Sequence, residues 1–252
     1  MGIKNLKKRD TRENLIKTSN IKVPLKVKSD CTKDISEVIS PDTWLNKRCL
    51  ILAGGTSLEN FDFNRIQDEL TIGINKAFVK YPVTINYAMD YRFFDLVSTR
   101  PKSYEDEDHI YERWLEFKGM KVFFRQSNKY RFNPSIITVK NLLYKVISLD
   151  VSKGIWGGSN SGFGGLMLAI ALGATKIGLL GYDFYVSRKT HWHAGYKGQH
   201  LESFPKKLLR FMEDFKEFAP SIEKLGVKVV NLNPISNLKC FPFDSLDHFL
   251  KV

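Results

Sequence analysis

The residues of this chain best suited to chemistry fall in three stretches: Gly54-Gly55-Thr56-Ser57, Asn160-Ser161-Gly162, and a loop carrying His191, His193 and His200. A Gly-Gly-Thr-Ser turn leaves room beside its backbone N–H groups. At the positive end of a following helix, such a turn suits phosphate. It is neither a Gly-x-Gly-x-x-Gly fingerprint nor a Walker loop, because no Gly-Lys-Ser/Thr follows. Histidine titrates near neutral pH, so the loop histidines read first as a general base or acid, with a metal pair or plain surface residues as the other readings. No carboxylate stands at a spacing that completes a metal set, so no metal is expected. Tyr182 and Tyr185 flank Asp183, either as a structural aromatic cluster or with a tyrosine hydroxyl facing a phosphate.

The elements that must position these residues alternate in the α/β manner. Arg48–Ala53 is a short apolar run ending in glycine, the pattern of a buried parallel strand, and Ser57 can cap a helix from Leu58 to Leu70. Leu70–Ile74 and Val83–Met89 read as the next strands, each followed by a polar residue, Asn75 and Asp90. Ligands of open parallel sheets bind beyond the carboxyl ends of strands, so both residues stand where a site would lie. Residues 91–120 hold a helix-like stretch and an acidic loop, Glu105–Asp108, and Lys121–Phe124 is another strand. Residues 126–158 read as irregular. An apolar helix then runs from Phe163 to Leu172, stopped by Gly173 and followed by a strand, Lys176–Gly181. A helix over Pro205–Leu225 and a last strand over Val227–Leu232 close the pattern, leaving 233–242 as loop. The expected fold is a doubly wound, mostly parallel sheet with helices on both faces, Rossmann-like and of the GT-A-variant type. Residues 1–43 read as a basic N-terminal extension and 44–252 as a single nucleotide-binding domain.

The totals limit the partners. A net charge of +12 predicts an acidic one: nucleic acid, an anionic membrane surface or a phosphorylated small molecule. Much of the excess crowds the first thirty residues, a pattern of a solvated tail. Cys31, Cys49 and Cys240 have no paired spacing, against a disulfide framework or a structural zinc. The start has no apolar stretch of a signal peptide, and no run of about 18 apolar residues occurs. The expected location is cytoplasmic, with peripheral contact of the basic N-terminus with anionic lipid as an added possibility.

The stretch Ser161–Gly173, running into Lys176-Ile-Gly-Leu-Leu-Gly-Tyr-Asp-Phe-Tyr185, resembles bacterial sialyltransferases of glycosyltransferase family 42. Ala53–Leu58 is similar to that family's Gly-Pro-Ser-Leu turn, and Gly73-Ile-Asn75 to its strand ending in a phosphate-facing Asn. The layout also resembles a wider group that includes archaeal 6-hydroxymethylpterin pyrophosphokinases and flagellin-glycosylation factors, and Val229–Ser236 looks like that group. The resemblance implies a metal-independent glycosyltransferase that uses a CMP-linked or other nucleotide-sugar donor and a glycan acceptor, with no cofactor. It implies that Gly55, Ser57 and Asn75 hold the nucleotide and its phosphates, and that Asn160, Ser161 and Gly162 contact ribose or base. Tyr185 would donate to the leaving phosphate, and a loop histidine, His200 ahead of His191 and His193, would take the acceptor proton. Two positions depart from the family: Gly54 and Asp90 each stand where it has Asn. The alternatives are a Mg-dependent pyrophosphokinase-like enzyme with Asp90 and Asp183 on the metal, and a non-enzymatic basic module for nucleic acid.

Overall fold

The computed structural model describes residues 32–98, 109–125, 136–193 and 202–251. Its centre is an eight-stranded sheet: β1 (Lys33–Asp34), β2 (Arg48–Leu52), β3 (Leu70–Ile74), β4 (Ile85–Ala88), β5 (Met120–Arg125), β6 (Ile137–Lys140), β7 (Lys176–Leu180) and β8 (Lys228–Asn231). Neighbours run β1-β6-β5-β4-β3-β2-β7-β8, and every pairing is parallel. From β2 the chain winds outward through β3 to β6 on one side, then returns to place β7 and β8 on the other. The order therefore reverses between β2 and β7, the place where open α/β sheets bind ligands.

Strands buried on both faces explain the continuous apolar runs, and their alternate residues feed two cores. Cys49, Ile51, Val122 and Phe124 point to the face covered by α4 (Ser161–Ala171) and α5 (Phe204–Lys224). Leu50, Leu52 and Phe123 point to the other face. There they meet α1 (Ala77–Lys80), α2 (Tyr91–Ser98), α3 (Ile110–Glu116) and α6 (Leu246–Lys251). The doubly wound α/β expectation is what the chain forms. Among the described residues, no helix is long and apolar enough to cross a membrane.

Three expectations are corrected. Leu58–Leu70 is not one helix but two 3-10 turns, Thr56–Leu58 and Phe63–Ile66. Asp62 divides them, because its carboxylate accepts from Asn64 N and so competes with helical hydrogen bonding. Phe61 and Phe63, in edge contact, then turn into the second core. Within the span read as irregular, Ile137–Lys140 is strand β6, paired to β5. Lys33–Asp34, in the segment read as an extension, pairs with β6, and Ile35 and Trp44 are buried in the first core. The chain's last turn, read as nothing in particular, is α6; Lys176 Nζ and Arg48 Nη1 donate to its closing carbonyls, of Phe249 and Leu250. Residues Glu105–Asp108 lie outside the described residues, as do Cys31 and the first thirty residues.

Helix α4 lies close on the sheet because it carries Gly164 and Gly165: a Cβ at Gly164 would overlap the Tyr87 hydroxyl. Gly164→Ala should therefore destabilise the chain by about 1–3 kcal/mol in urea denaturation, the usual cost of overpacking. Tyr87→Phe in the same chain should recover part of it. A Gly164→Ala variant as stable as the parent would contradict this packing.

Candidate functional site

A cleft of about 470 Å³ opens at the reversal between β2 and β7. Its floor comes from the ends of β2 (Gly54, Gly55), β3 (Asn75), β4 (Asp90) and β7 (Gly181 to Tyr185), together with the start of α4 (Asn160, Ser161, Gly162). The loop histidines His191 and His193 and the first turns of α5 complete its wall. Of the residues singled out in the sequence, these meet in one place. Thr56 and Ser57 are not among its lining residues, and His200 lies outside the described residues.

Thr56 and Ser57 turn instead to Asp183. That buried carboxylate accepts from Ser57 N (2.9 Å), Ser57 Oγ (2.5 Å), Thr56 Oγ1 (3.3 Å) and Asn233 Nδ2 (2.8 Å). The amide of Gly55 donates to Gly181 O at 2.9 Å. The anion-binding end of the turn is thus already filled by the chain's own carboxylate. This corrects the reading of the turn as an open phosphate cradle: Asp183 sits where the phosphate would, and the helix meant to supply the dipole is a single 3-10 turn. Gly55 must be glycine for the same reason, since a Cβ there would overlap Asp183 Cγ and Gly181 O. With its oxygens so engaged, Asp183 is poorly suited to carry a magnesium ion. Among the described residues, no cluster of three or more His, Cys, Asp or Glu could hold one.

Asp90 also has structural work. Its backbone oxygen accepts from Phe93 N and Phe94 N, and its Oδ1 from Arg92 N at 2.8 Å, so it caps α2. A carboxylate is favourable at that helix end. It is exposed at the cleft's edge and does not project from a strand end as a lone charge.

Asn75 takes the left-handed conformation, with φ of 54°. Its N–H donates to Tyr87 O (3.0 Å), and its carbonyl accepts from Asn86 Nδ2 (2.9 Å), so the fully buried Asn86 fixes this strand end. The side-chain oxygen of Asn75 is buried at the cleft with no partner, a group that a ligand donor could satisfy. At the start of α4, Asn160 caps the helix by accepting from Phe163 N (2.9 Å) and donates to Phe211 O of α5 (3.3 Å). Ser161 Oγ accepts from Met89 N at 3.2 Å, joining β4 to α4. Tyr182 is buried and donates to Gly162 O (2.9 Å), which settles it as structural, while Tyr185 lines the cleft.

The histidine loop is fastened to the β2 turn by a residue the sequence reading passed over. Trp192 N donates to Gly54 O (3.1 Å) and its indole Nε1 to Ala53 O (3.3 Å). Gly54 leaves the space that His191 fills: a Cβ at that position would lie 2.6 Å from His191 Cδ2. The two imidazoles stack with centroids 4.7 Å apart, and His191 Nδ1 meets Thr190 Oγ1 at 2.9 Å. Burial, then the charges of Lys76 and Lys207, lower the His191 pKa to about 4. Burial, His191 and Lys76 lower that of His193 to about 2. Both rings are neutral at pH 7. Lys76, Lys207 and Arg210 carried no signal in the sequence, because a lysine beside a strand end or on an amphipathic helix is ordinarily a solvated charge.

No protein-family model matches this chain, and no curated protein matches it significantly. Among solved structures it is similar to the sialyltransferase CstII from Campylobacter jejuni in complex with a substrate analogue, CMP-3FNeuAc. That likeness has 14% identity and a TM-score of 0.45, over 78% of this chain and 85% of the other. A second structure, of the sialyltransferase CST-II with trisaccharide acceptor and CMP, is 18% identical with a TM-score of 0.46, over the same shares. At that identity and overlap, the substrate has to come from the chain's own side chains.

Two measurements check this geometry. Asp183→Ala strips buried donors of their acceptor and should cost about 2–4 kcal/mol of unfolding free energy. A loss under about 0.5 kcal/mol would remove Asp183 from its structural role. Because the folded histidine pKa values lie below the ordinary 6.5, the unfolded chain binds protons first as pH falls. Their contribution to stability is complete above pH 6.5 and is lost progressively below it, for His191 down to about pH 4. NMR should show the His191 and His193 ring protons unchanged from pH 8 to pH 5.5. A midpoint above pH 6 for either ring would contradict the buried, cation-flanked setting.

Proposed function

We propose that the chain is a glycosyltransferase that moves a sugar from a nucleotide-linked donor to an acceptor hydroxyl, with a CMP-linked donor as the form the sequence resemblance implies. The observation that carries this reading is the convergence of Asn75, Asn160–Gly162, Tyr185 and a neutral histidine pair in one cleft at the sheet's reversal. Such a cleft offers neutral hydrogen-bonding groups for a nucleoside and a phosphate, an imidazole for a proton, and a size fitted to a ligand of that class.

In the proposed reaction the acceptor oxygen attacks the anomeric carbon as the bond from that carbon to the phosphate oxygen breaks. The acceptor proton passes to a loop histidine, and the nucleotide leaves with the bonding electrons. Tyr185 and the N-terminal end of α4, which both line the cleft, would stabilise the departing phosphate. His200 is the base that the resemblance favours; among the described residues, His191 and His193 line the cleft. The turn's part is indirect: Gly54 and Gly55 shape the floor, while Thr56 and Ser57 hold it in place through Asp183. The metal-dependent alternative has less support, because Asp183 is engaged by four donors and Asp90 caps a helix.

Calorimetry should detect CMP binding without a divalent ion, weakened at least about tenfold by Asn75→Ala, the loss of one well-placed polar contact. If CMP, CDP and UDP all fail to bind at millimolar concentration, the reading is wrong. Replacement of His200, His191 and His193 by Ala, one at a time, should identify the base as the variant that keeps nucleotide affinity and loses turnover. Full turnover in all three variants would exclude a histidine base.

A further inference from the structure

The cleft's floor and its mouth differ in charge. The floor presents neutral groups, namely Gly55, Asn75, Asn160 and Ser161, and the two carboxylates that reach it are tied up as described. The mouth is formed by α5, where Lys207 and Arg210 lie one turn apart, line the cleft and are exposed. Neither is in an ion pair among the described residues; both rest over the Phe211 ring, at 5.4 and 5.8 Å from its centroid. Elsewhere on the same helix, Lys216 is paired with Glu213, and Lys224 stands in the last turn where the dipole favours a cation. Lys207 instead occupies the first turns, which hold no acid and where the dipole disfavours positive charge. Two cations over one aromatic ring and facing a cavity, one of them in a first turn that disfavours positive charge, are better explained by an anion than by solubility.

We propose that Lys207 and Arg210 form a second anion subsite at the mouth of the cleft, which takes an anionic group additional to the phosphate held at the floor. The inference rests on the nucleotide-sugar reading above and narrows its substrate class. The substrate pair carries either a second phosphate on the donor or an acid group on the acceptor sugar. Both are acidic groups of the size that a lysine and an arginine one turn apart can hold together. The charge of Lys207 already reaches His191, so an anion bound there would also favour a proton on that ring.

The test is calorimetry on the full chain in EDTA, with Lys207→Gln, Arg210→Gln and the double variant as comparisons. One arm compares CDP with CMP; the other compares glucuronate with glucose on the CMP-saturated protein. A second phosphate at the subsite makes CDP bind about tenfold or more tighter than CMP, a ratio that falls toward one in the double variant while CMP affinity holds. An acidic acceptor leaves CDP and CMP alike but makes glucuronate bind where glucose does not, and the double variant abolishes it. If wild-type protein shows neither preference, or if the variants leave the preference intact, the subsite is overturned while CMP binding still stands for the broader reading. Failure of all the nucleotides to bind overturns the broader reading itself.

Discussion

Everything at the site depends on one buried carboxylate. Asp183, at the end of β7, receives two hydrogen bonds from Ser57 and one from Thr56 after β2, and one from Asn233 after β8. Three neighbouring strands thereby have their carboxyl-terminal loops held by a single acceptor. A carboxylate with this many donors is far stronger as a tie than a neutral group would be, and leaving those donors unpaired in a buried place would be costly. The tie demands close approach, which is why Gly55 and Gly181 face each other with no room for a Cβ at position 55. It also bends the chain beyond it: Phe184 is left-handed, with φ of 52°, and is held there because Asn237 donates to the carbonyls of Asp183 and Phe184. The loop after β8 thus positions Tyr185 without touching the cleft itself.

With the turn's own anion site filled by Asp183, the negative charge of the proposed ligand would have to be met elsewhere. The remaining candidates are the opening of α4 and the cations of α5, two elements joined by the Asn160–Phe211 hydrogen bond. That arrangement separates two electrostatic tasks. In the proposed reading, neutral dipoles on rigid elements would meet one charge at low desolvation cost, and exposed cations at the mouth would meet another without the penalty of burial. The histidines lie between. Their neutrality follows from desolvation and neighbouring cations, so an anion bound as proposed would act on them directly by offsetting Lys76 and Lys207.

The sequence showed most of the sheet because doubly buried strands must be apolar throughout. Runs such as Cys49–Leu52 and Ile177–Leu180 leave little else to be. It failed where a buried strand residue is polar or the element is short. Strand β6, Ile137-Thr-Val-Lys140, buries Thr138 as fully as Val139 and so lacks a continuous apolar run, and β1 is two residues long at the sheet's edge. The helix expected after Ser57 rested on Ser57 as its cap, but Asp62 and Asn64 gave the backbone a local alternative that a cap residue does not reveal. At the site, the residue types were legible and their partners were not. Nothing in Gly-Gly-Thr-Ser tells that its hydroxyls and amide turn to Asp183, some 126 positions later. The role of Trp192 is likewise a tertiary fact, since two hydrogen bonds to the β2 turn turn an aromatic loop residue into a fastener.

The two departures from the resembling family make physical sense once the neighbours are known. Glycine at position 54 removes one side chain from the cleft, and the imidazole of His191 takes the space it leaves. Restoring any Cβ there would push on that ring and, through it, on the stacked His193 and on Phe204 at the start of α5. Position 54 therefore trades a side chain fixed to the floor for one carried by the loop, and the loop's fastening by Trp192 is the counterpart of that exchange. Aspartate at position 90 is accounted for by the helix it begins, since its carboxylate caps α2 and its charge is favoured by the dipole there. Neither residue would set an unopposed negative charge against a phosphate bound on the floor. In the proposed reading, polar contacts to the ligand would come less from strand ends and more from the histidine loop and α5, the elements that reach over the cleft from the side.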